Sequence, residues 1–298
     1  MRLRQIEVFH AVYSSGSMTN AAALLNVSQP SVSKVLGYAE QQLGYRLFDR
    51  VKGKLVPTPE AHLLFQHVKL VYKDVDRLRH VATNIRDNRA GRIRVAGTPA
   101  FGLEVLPRAV ASFQQTNPDV VFEIETLNLD ELNGALLESR IDIGFALNAE
   151  PNPGIREQKL ASGRFVVLAP DDGTFDDRSE MTIADLAEYP FIALHSRGPL
   201  ERALFDYIGA SKKELNIVAW TDPWHVAKSL VAFGSGLTIV DDITARSGVS
   251  GNVRRIPLRP ALRFNVTALH FANAPLSIGA RRFTKHMGTY LKEFLADG

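Results

Sequence analysis

The sequence predicts a multi-domain protein: an all-α winged helix-turn-helix with a long linker helix, then an α/β domain of two lobes. Three observations carry this reading. The chain has 298 residues, more than one ordinary domain, with 45% apolar and 22% charged residues, as in soluble globular proteins. Apolar spacing is helical as far as Gly91 and then changes to alternating strands and helices. Charge is uneven as well. Residues 1–92 hold fourteen Lys and Arg against seven Asp and Glu, a balance of +7, and the remainder holds twenty-one against twenty-five, a balance of −4. A basic N-terminal part on a mildly acidic remainder is the footprint of a polyanion-binding module.

Leu3, Ile6, Phe9, Ala11, Val12 and Tyr13 fall largely on one helical face, so a first helix is expected from about Leu3 to Ser15, stopped by Gly16. Ser17 caps a short second helix, Met18 to Leu25, whose Ala21-Ala22-Ala23 lets a neighbour approach closely. Asn26 and Val27 make a tight turn. Ser28 caps a third helix with Pro30 in its first turn, where a missing N–H does no harm. Val32, Val35, Leu36, Ala39 and Leu43 form its buried stripe, Gly44 ends it, and Gln29, Ser31, Ser33 and Lys34 stay outside.

From Arg46 to Pro57 two short apolar runs flank a basic turn containing Gly53, which reads as a β-hairpin. Thr58-Pro59-Glu60 opens a fourth helix by cap, proline and first-turn acid. Leu63, Leu64, Val68, Val71, Val75, Leu78, Val81, Ala82 and Ile85 give it one apolar seam over about eight turns, and a second copy of the helix is the simplest cover. Asn88-Arg89-Ala90-Gly91 closes it.

Beyond Gly91, strands are expected near residues 93–96, 120–127, 141–146, 165–169, 217–220, 237–240 and 264–270. Helices are expected near 105–115, 129–139, 199–210, 223–232 and 278–295. Such alternation argues for parallel sheets with helices on both faces, in two units either side of a change near Asn152. The expected division is 1–58, 59–91 and 92–298, the last with lobes of roughly 92–162 plus 268–298, and 163–267.

Two helices across a tight turn, followed by a basic hairpin, make a DNA-reading geometry in which the start of the second helix meets base edges. Gln29 suits adenine or a mixed base edge, Ser31 and Ser33 suit bases or phosphate, and Lys34 suits guanine or backbone. Thr19 and Asn20, opening the helix before, are placed for phosphate, while Arg50, Lys52 and Lys54 on the wing add sequence-independent attraction. Three-helix bundles also carry serine caps and surface lysines; the wing and the basic bias favour DNA. The chain has no cysteine, which excludes a disulfide scaffold or a cysteine metal site and fits a reducing compartment. Charges interrupt the first apolar stretch and no run reaches bilayer length, so a cytoplasmic location without membrane contact is expected.

Gln5-Ile6-Glu7-Val8-Phe9, Gly16-Ser17, Ala21-Ala22-Ala23-Leu24-Leu25, Val27-Ser28-Gln29-Pro30-Ser31-Val32-Ser33, Glu40-Gln41-Gln42-Leu43-Gly44, Leu47-Phe48-Asp49-Arg50 and Pro57-Thr58-Pro59-Glu60-Ala61 together resemble the DNA-binding domain of LysR-type transcriptional regulators. Looser likeness continues through Leu106-Pro107, Asn117-Pro118-Asp119-Val120, Asp142-Ile143-Gly144-Phe145 and Gly234-Ser235-Gly236-Leu237-Thr238. Val51 and Lys52 depart from a pattern that often has a second arginine and a serine or threonine. The resemblance implies a winged helix, a dimerising linker helix and a two-lobed effector domain like a periplasmic binding protein. It also implies a homo-oligomer, usually a tetramer, that binds double-stranded promoter DNA, switches geometry with a small effector, and has RNA polymerase as a further partner.

In that family the effector lies between the lobes, at the end of the first strand and the helix after it. Here that place is Thr98, Pro99, Ala100 and Phe101, where helix-start N–H groups make an anion seat. Ligands of open α/β sheets sit beyond strand carboxyl ends, which adds Leu127 and Asn128, Ala146 and Asn148, His195 and Ser196, then Asp222 and Trp224. A carboxylate beside an aromatic ring suits an amine, so an amino acid or opine-like effector ranks ahead of a plain organic acid. Asp222 also reads as a simple cap before Pro223. No metal-ligand spacing, nucleophile elbow or dinucleotide fingerprint appears, so neither catalysis, a metal nor a cofactor is expected. The alternative is an effector-independent DNA-binding protein with a vestigial cleft.

Overall fold

The helices α1 (Leu3–Ser15), α2 (Met18–Leu24) and α3 (Gln29–Leu43) form where their apolar spacing requires and meet through buried Phe9, Val12, Ala21, Ala22, Val32 and Leu36. The structure, a computed structural model, describes residues 1–51, 54–87, 91–195, 198–209, 215–248 and 252–296. Gly16 and Gly44 end α1 and α3 in the left-handed conformation, at φ 65° and 80°. The Ser17 hydroxyl accepts the Asn20 N–H at 3.4 Å, capping α2, which stops one residue before the expected Leu25.

β1 (Phe48–Val51) and β2 (Lys54–Pro57) pair antiparallel as the wing. Two side chains fix its base. The Glu40 carboxylate accepts the N–H groups of Leu47 and Phe48 at 2.7 and 3.2 Å. The buried Thr58 hydroxyl donates to the Arg46 carbonyl at 3.0 Å and accepts from Ala61 N–H at 3.2 Å, tying the hairpin to the start of α4 (Pro59–Asp87).

The expected single seam of α4 is split. Leu64, Phe65 and Val68 turn inward, with Phe65 stacked on Tyr13 at 3.7 Å between ring centres and His10 stacked on Tyr72 at 3.9 Å. Leu63, Leu70, Val71 and Leu78 are exposed. The stripe is split because α1 covers only the first turns of so long a helix. The side chains of Val81, Ala82 and Ile85, the closing residues 88–90, and Lys52, Gly53 and Ser196 lie outside the described residues.

The chain divides into two compact units, Met1–Val81 and Ala82–Gly298. The second begins with β3 (Arg92–Gly97), α5 (Pro99–Gly102), α6 (Val105–Thr116), β4 (Val121–Thr126), α7 (Leu129–Leu137) and β5 (Ile143–Leu147). Here β3 is parallel to both β4 and β5, as expected. Next come β6 (Ile155–Pro170), α8 (Ile183–Leu186), β7 (Pro190–Leu194), α9 (Pro199–Ile208), β8 (Asn216–Thr221), α10 (Trp224–Ala232) and β9 (Thr238–Asp241). The last elements are α11 (Asp242–Arg246), β10 (Val253–Pro257), β11 (Arg263–Phe271) and α12 (Ile278–Ala296).

The all-parallel expectation fails at β6 and β11. β11 runs antiparallel to β5 on one side and to the first part of β6 on the other. The rest of β6 is antiparallel to β9 and β10, while β7 and β8 are parallel to each other. β6 is thus one 16-residue strand serving both halves of the sheet, not the short strand expected at 165–169. Its first half escaped the sequence because Arg156, Glu157, Gln158 and Lys159 are exposed and leave no apolar run, as an antiparallel strand permits. Among the described residues no helix is long and apolar enough to cross a membrane.

Candidate functional site

Two surfaces gather polar side chains where a partner could reach them. The first lies on the N-terminal unit. Thr19, Asn20, Ser28, Gln29, Pro30, Ser31, Ser33, Lys34, Arg50 and Lys54 are all exposed. Ser28 opens α3 without a side-chain cap bond, and its hydroxyl lies 2.8 Å from that of Ser31. The Lys34 ammonium sits 5.9 Å from the centre of the exposed Tyr38 ring, an aromatic that the spacing argument left aside. The buried stripe of α3 anchors the helix, so this outer face is held rigidly with its donors and acceptors turned to solvent.

The second is a cavity of about 390 Å³ in the second unit, within the range of small-molecule sites. Its walls are built from helix starts. Thr98 and Pro99 open α5, Asn128 and Leu129 open α7, Gly198 and Pro199 open α9, Pro223 and Trp224 open α10, and Asp241 caps α11. Positive helix ends therefore converge on one space. Among the described residues the same walls carry five carboxylates, Asp130, Glu150, Glu201, Asp222 and Asp241, against one guanidinium, Arg202, and the imidazole of His225.

Asp241 is fully buried, and its carboxyl accepts the Thr244 N–H at 2.8 Å and meets the Thr244 hydroxyl at 2.6 Å. Burial pushes its pKa up to about 6 against the pull of those bonds, with the charge of Asp242 adding to the rise. Glu201 is raised above the ordinary carboxylate value, first by burial and further by the charge of Asp222. The Trp224 indole N–H, donated at 3.0 Å, opposes that rise. Arg202 pairs with Glu150 across the cavity, joining α9 to the segment after β5. A ligand here would meet oriented N–H groups fit for a carboxylate and carboxylates fit for a cation.

Thr98, Pro99, Ala100, Asn128, Asp222 and Trp224 line this cavity, as their places at strand ends led one to expect. Thr98 makes no side-chain cap bond, and Pro223 rather than Asp222 is the cap residue of α10. Other nominees sit elsewhere. Phe101 and Ala146 are fully buried core residues, and Leu127 packs half-buried against the core cluster that includes Leu132 and Leu136. The Asn148 side chain accepts the Asn265 N–H at 2.9 Å and ties β5 to β11. His195 donates its N–H to the Thr221 carbonyl and lines a separate shallow concavity beside Trp220. A residue at a strand end has two directions to point, and the strand-end rule does not choose between them. Glu201, Arg202, Asp241, Thr244 and Glu150 were missed. Helix-start patterns, such as Gly198-Pro199 and Asp241-x-x-Thr244, were the available sign for the first four.

Two family models match the chain. The family described as bacterial regulatory helix-turn-helix protein, lysR family, matches residues 3–62, and the LysR substrate binding domain matches residues 86–292. The chain is 39% identical over 277 residues to the HTH-type transcriptional regulator DgcR of a Pseudoalteromonas species, covering 93% of this chain and 95% of that one. It is 34% identical over 146 residues to the octopine catabolism/uptake operon regulatory protein OccR of Rhizobium meliloti, about half of each. Full-length CbnR, solved in complex with its target DNA, shares the fold with a TM-score of 0.64 at 20% identity, over 97% of this chain and 100% of that one.

Proposed function

Since the chain belongs to the LysR family of bacterial helix-turn-helix transcriptional regulators, we propose that it binds promoter DNA and that a zwitterionic small molecule in the cavity switches that binding. Thr19, Asn20, Ser28, Gln29, Pro30, Ser31, Ser33 and Lys34 form the reading face, with Arg50, Lys52 and Lys54 as the phosphate-binding wing. The exposed leucines of α4, Leu63, Leu70 and Leu78, supply the seam for a second copy of the chain.

One observation carries the ligand reading: five carboxylates and several helix N-termini line a single cavity. Helix starts favour the ligand's carboxylate, and the acidic walls favour its ammonium. Asp222, with the buried Trp224 beside it, is the first ammonium partner, and Thr98 and Asn128 hold the carboxylate end. Similarity to a regulator of octopine catabolism and uptake agrees with an amino acid or opine-like effector.

The test is a thermal-shift screen of the full chain against amino acids, opines and simple organic acids, followed by DNA footprints with each hit. An amine-bearing acid should raise the melting temperature and alter the footprint. The variant Asp222→Ala should weaken its binding about tenfold or more, the loss of one charge-assisted bond. Equal stabilisation by organic acids that lack an amine would overturn the zwitterion reading.

A further inference from the structure

Gly37 stands in the middle of α3, where a glycine forfeits stability relative to alanine. The fold gives no reason for it. Apart from its chain neighbours and the helix's own backbone, no described atom lies within 4 Å of the Cβ that another residue would place there, and the backbone is ordinary helix. This sets it apart from the glycines at 16 and 44, which take left-handed conformations, and from those at 97 and 144, where a Cβ would strike Phe101 and Leu132. Its position is informative. Val32, Leu36 and Ala39 face the core, so the line opposite them runs through Pro30, Lys34, Gly37 and Gln41, all exposed. The outermost ridge of the helix is bare at its centre and flanked by an ammonium and an amide.

We propose that α3 makes its closest approach to DNA at Gly37, where the missing side chain lets duplex DNA meet the helix backbone between Lys34 and Gln41. The polar flanks favour this occupant over a protein surface, since an apolar partner would bury the Lys34 charge and the Gln41 amide unpaired. A polyanion accepts hydrogen bonds from both. The backbone contact sets how deeply α3 sits, and so which base edges Gln29 and Ser33 reach. This rests on α3 being the DNA-reading helix, as proposed above.

The experiment measures two quantities on the full chain: thermal melting, and affinity for duplexes that the unaltered chain selects from a random-sequence pool. Gly37→Ala should melt a few degrees higher, because alanine favours helix, yet bind the selected duplexes at least tenfold more weakly. Gly134→Ala, in α7, is the control, since that glycine also has open space around it; it should raise melting without changing affinity. If Gly37→Ala melts higher and binds as well as the unaltered chain, the close approach is refuted. If it melts lower, the glycine belongs to the fold and the inference is likewise refuted. Should the unaltered chain select no sequence at all, the assignment of α3 as the reader fails, and this inference falls with it.

Discussion

The side chains of Gln29 and Ser33 on α3 are exposed and make no hydrogen bond to another described residue, whereas most charged groups around the cavity are engaged within the protein. Asp241 caps α11 through Thr244, Glu201 takes the Trp224 indole, and Arg202 holds Glu150. The proposed DNA-facing surface is therefore separable from the fold beneath it, while the cavity is made of the fold's own caps and ion pairs. A polyanion needs only exposed donors on a rigid helix. A small ligand needs an enclosed space, and enclosing polar groups obliges them to find partners first.

Salt tests this contrast most strongly. If the dimer neutralises six or more phosphates, affinity for its selected duplex should fall roughly a thousandfold between about 50 and 200 mM salt, read by fluorescence anisotropy. Effector affinity, measured by calorimetry over the same range, should change far less, since a small zwitterion meets few charges and releases no condensed counterions. Equal slopes would erase the distinction.

Asp241 provides the next largest effect. Its carboxyl titrates near 6 in the folded protein, above the value of 3.8 for the free group. The folded state then holds the proton more tightly than the unfolded one. Stability is undiminished by this group below about pH 4, declines as pH rises through the window between the two values, and is lowered by on the order of 3 kcal/mol above it. Asp241→Asn keeps an acceptor for the Thr244 N–H without the buried charge. Urea melts from pH 4 to 7.5 should show the variant relatively more stable as pH rises, and parallel curves would contradict that.

Smaller still is the pair Gln29→Ala and Lys54→Ala. The first should relax base preference by ~1–3 kcal/mol at its contacted position, and the second should weaken all sequences alike and lower the salt slope by about one. Neither should move the melting temperature. A drop in stability with Gln29→Ala would show that the reading face is not separable after all.

The N-terminal unit was legible almost residue by residue. Its helices are short-range objects, and Gly16, Ser17, Gly44 and Thr58-Pro59 mark their ends with local chemistry. The split seam of α4 was not legible, because periodicity shows which residues share a face but not whether α1 or a second copy covers it. In the second unit the parallel core of β3, β4 and β5 could be read from its apolar strands, but not the long antiparallel β6, only half of whose residues are buried.

The cavity divides in the same way. Thr98, Asn128, Asp222 and Trp224 were found because a strand end followed by a helix start is a local pattern. Phe101, Ala146, Asn148 and His195 satisfy the same rule, yet they point into the core, toward Asn265, or into another concavity. The sequence alone determined the family, the order of elements in the N-terminal unit and the exposed polar face of α3, since each depends on neighbours a few residues apart. Only the tertiary structure decided which helix starts meet in one space, and it brought Glu150 to Arg202 and buried Asp241. Those depend on strand pairings between residues far apart in the chain, which no local pattern records.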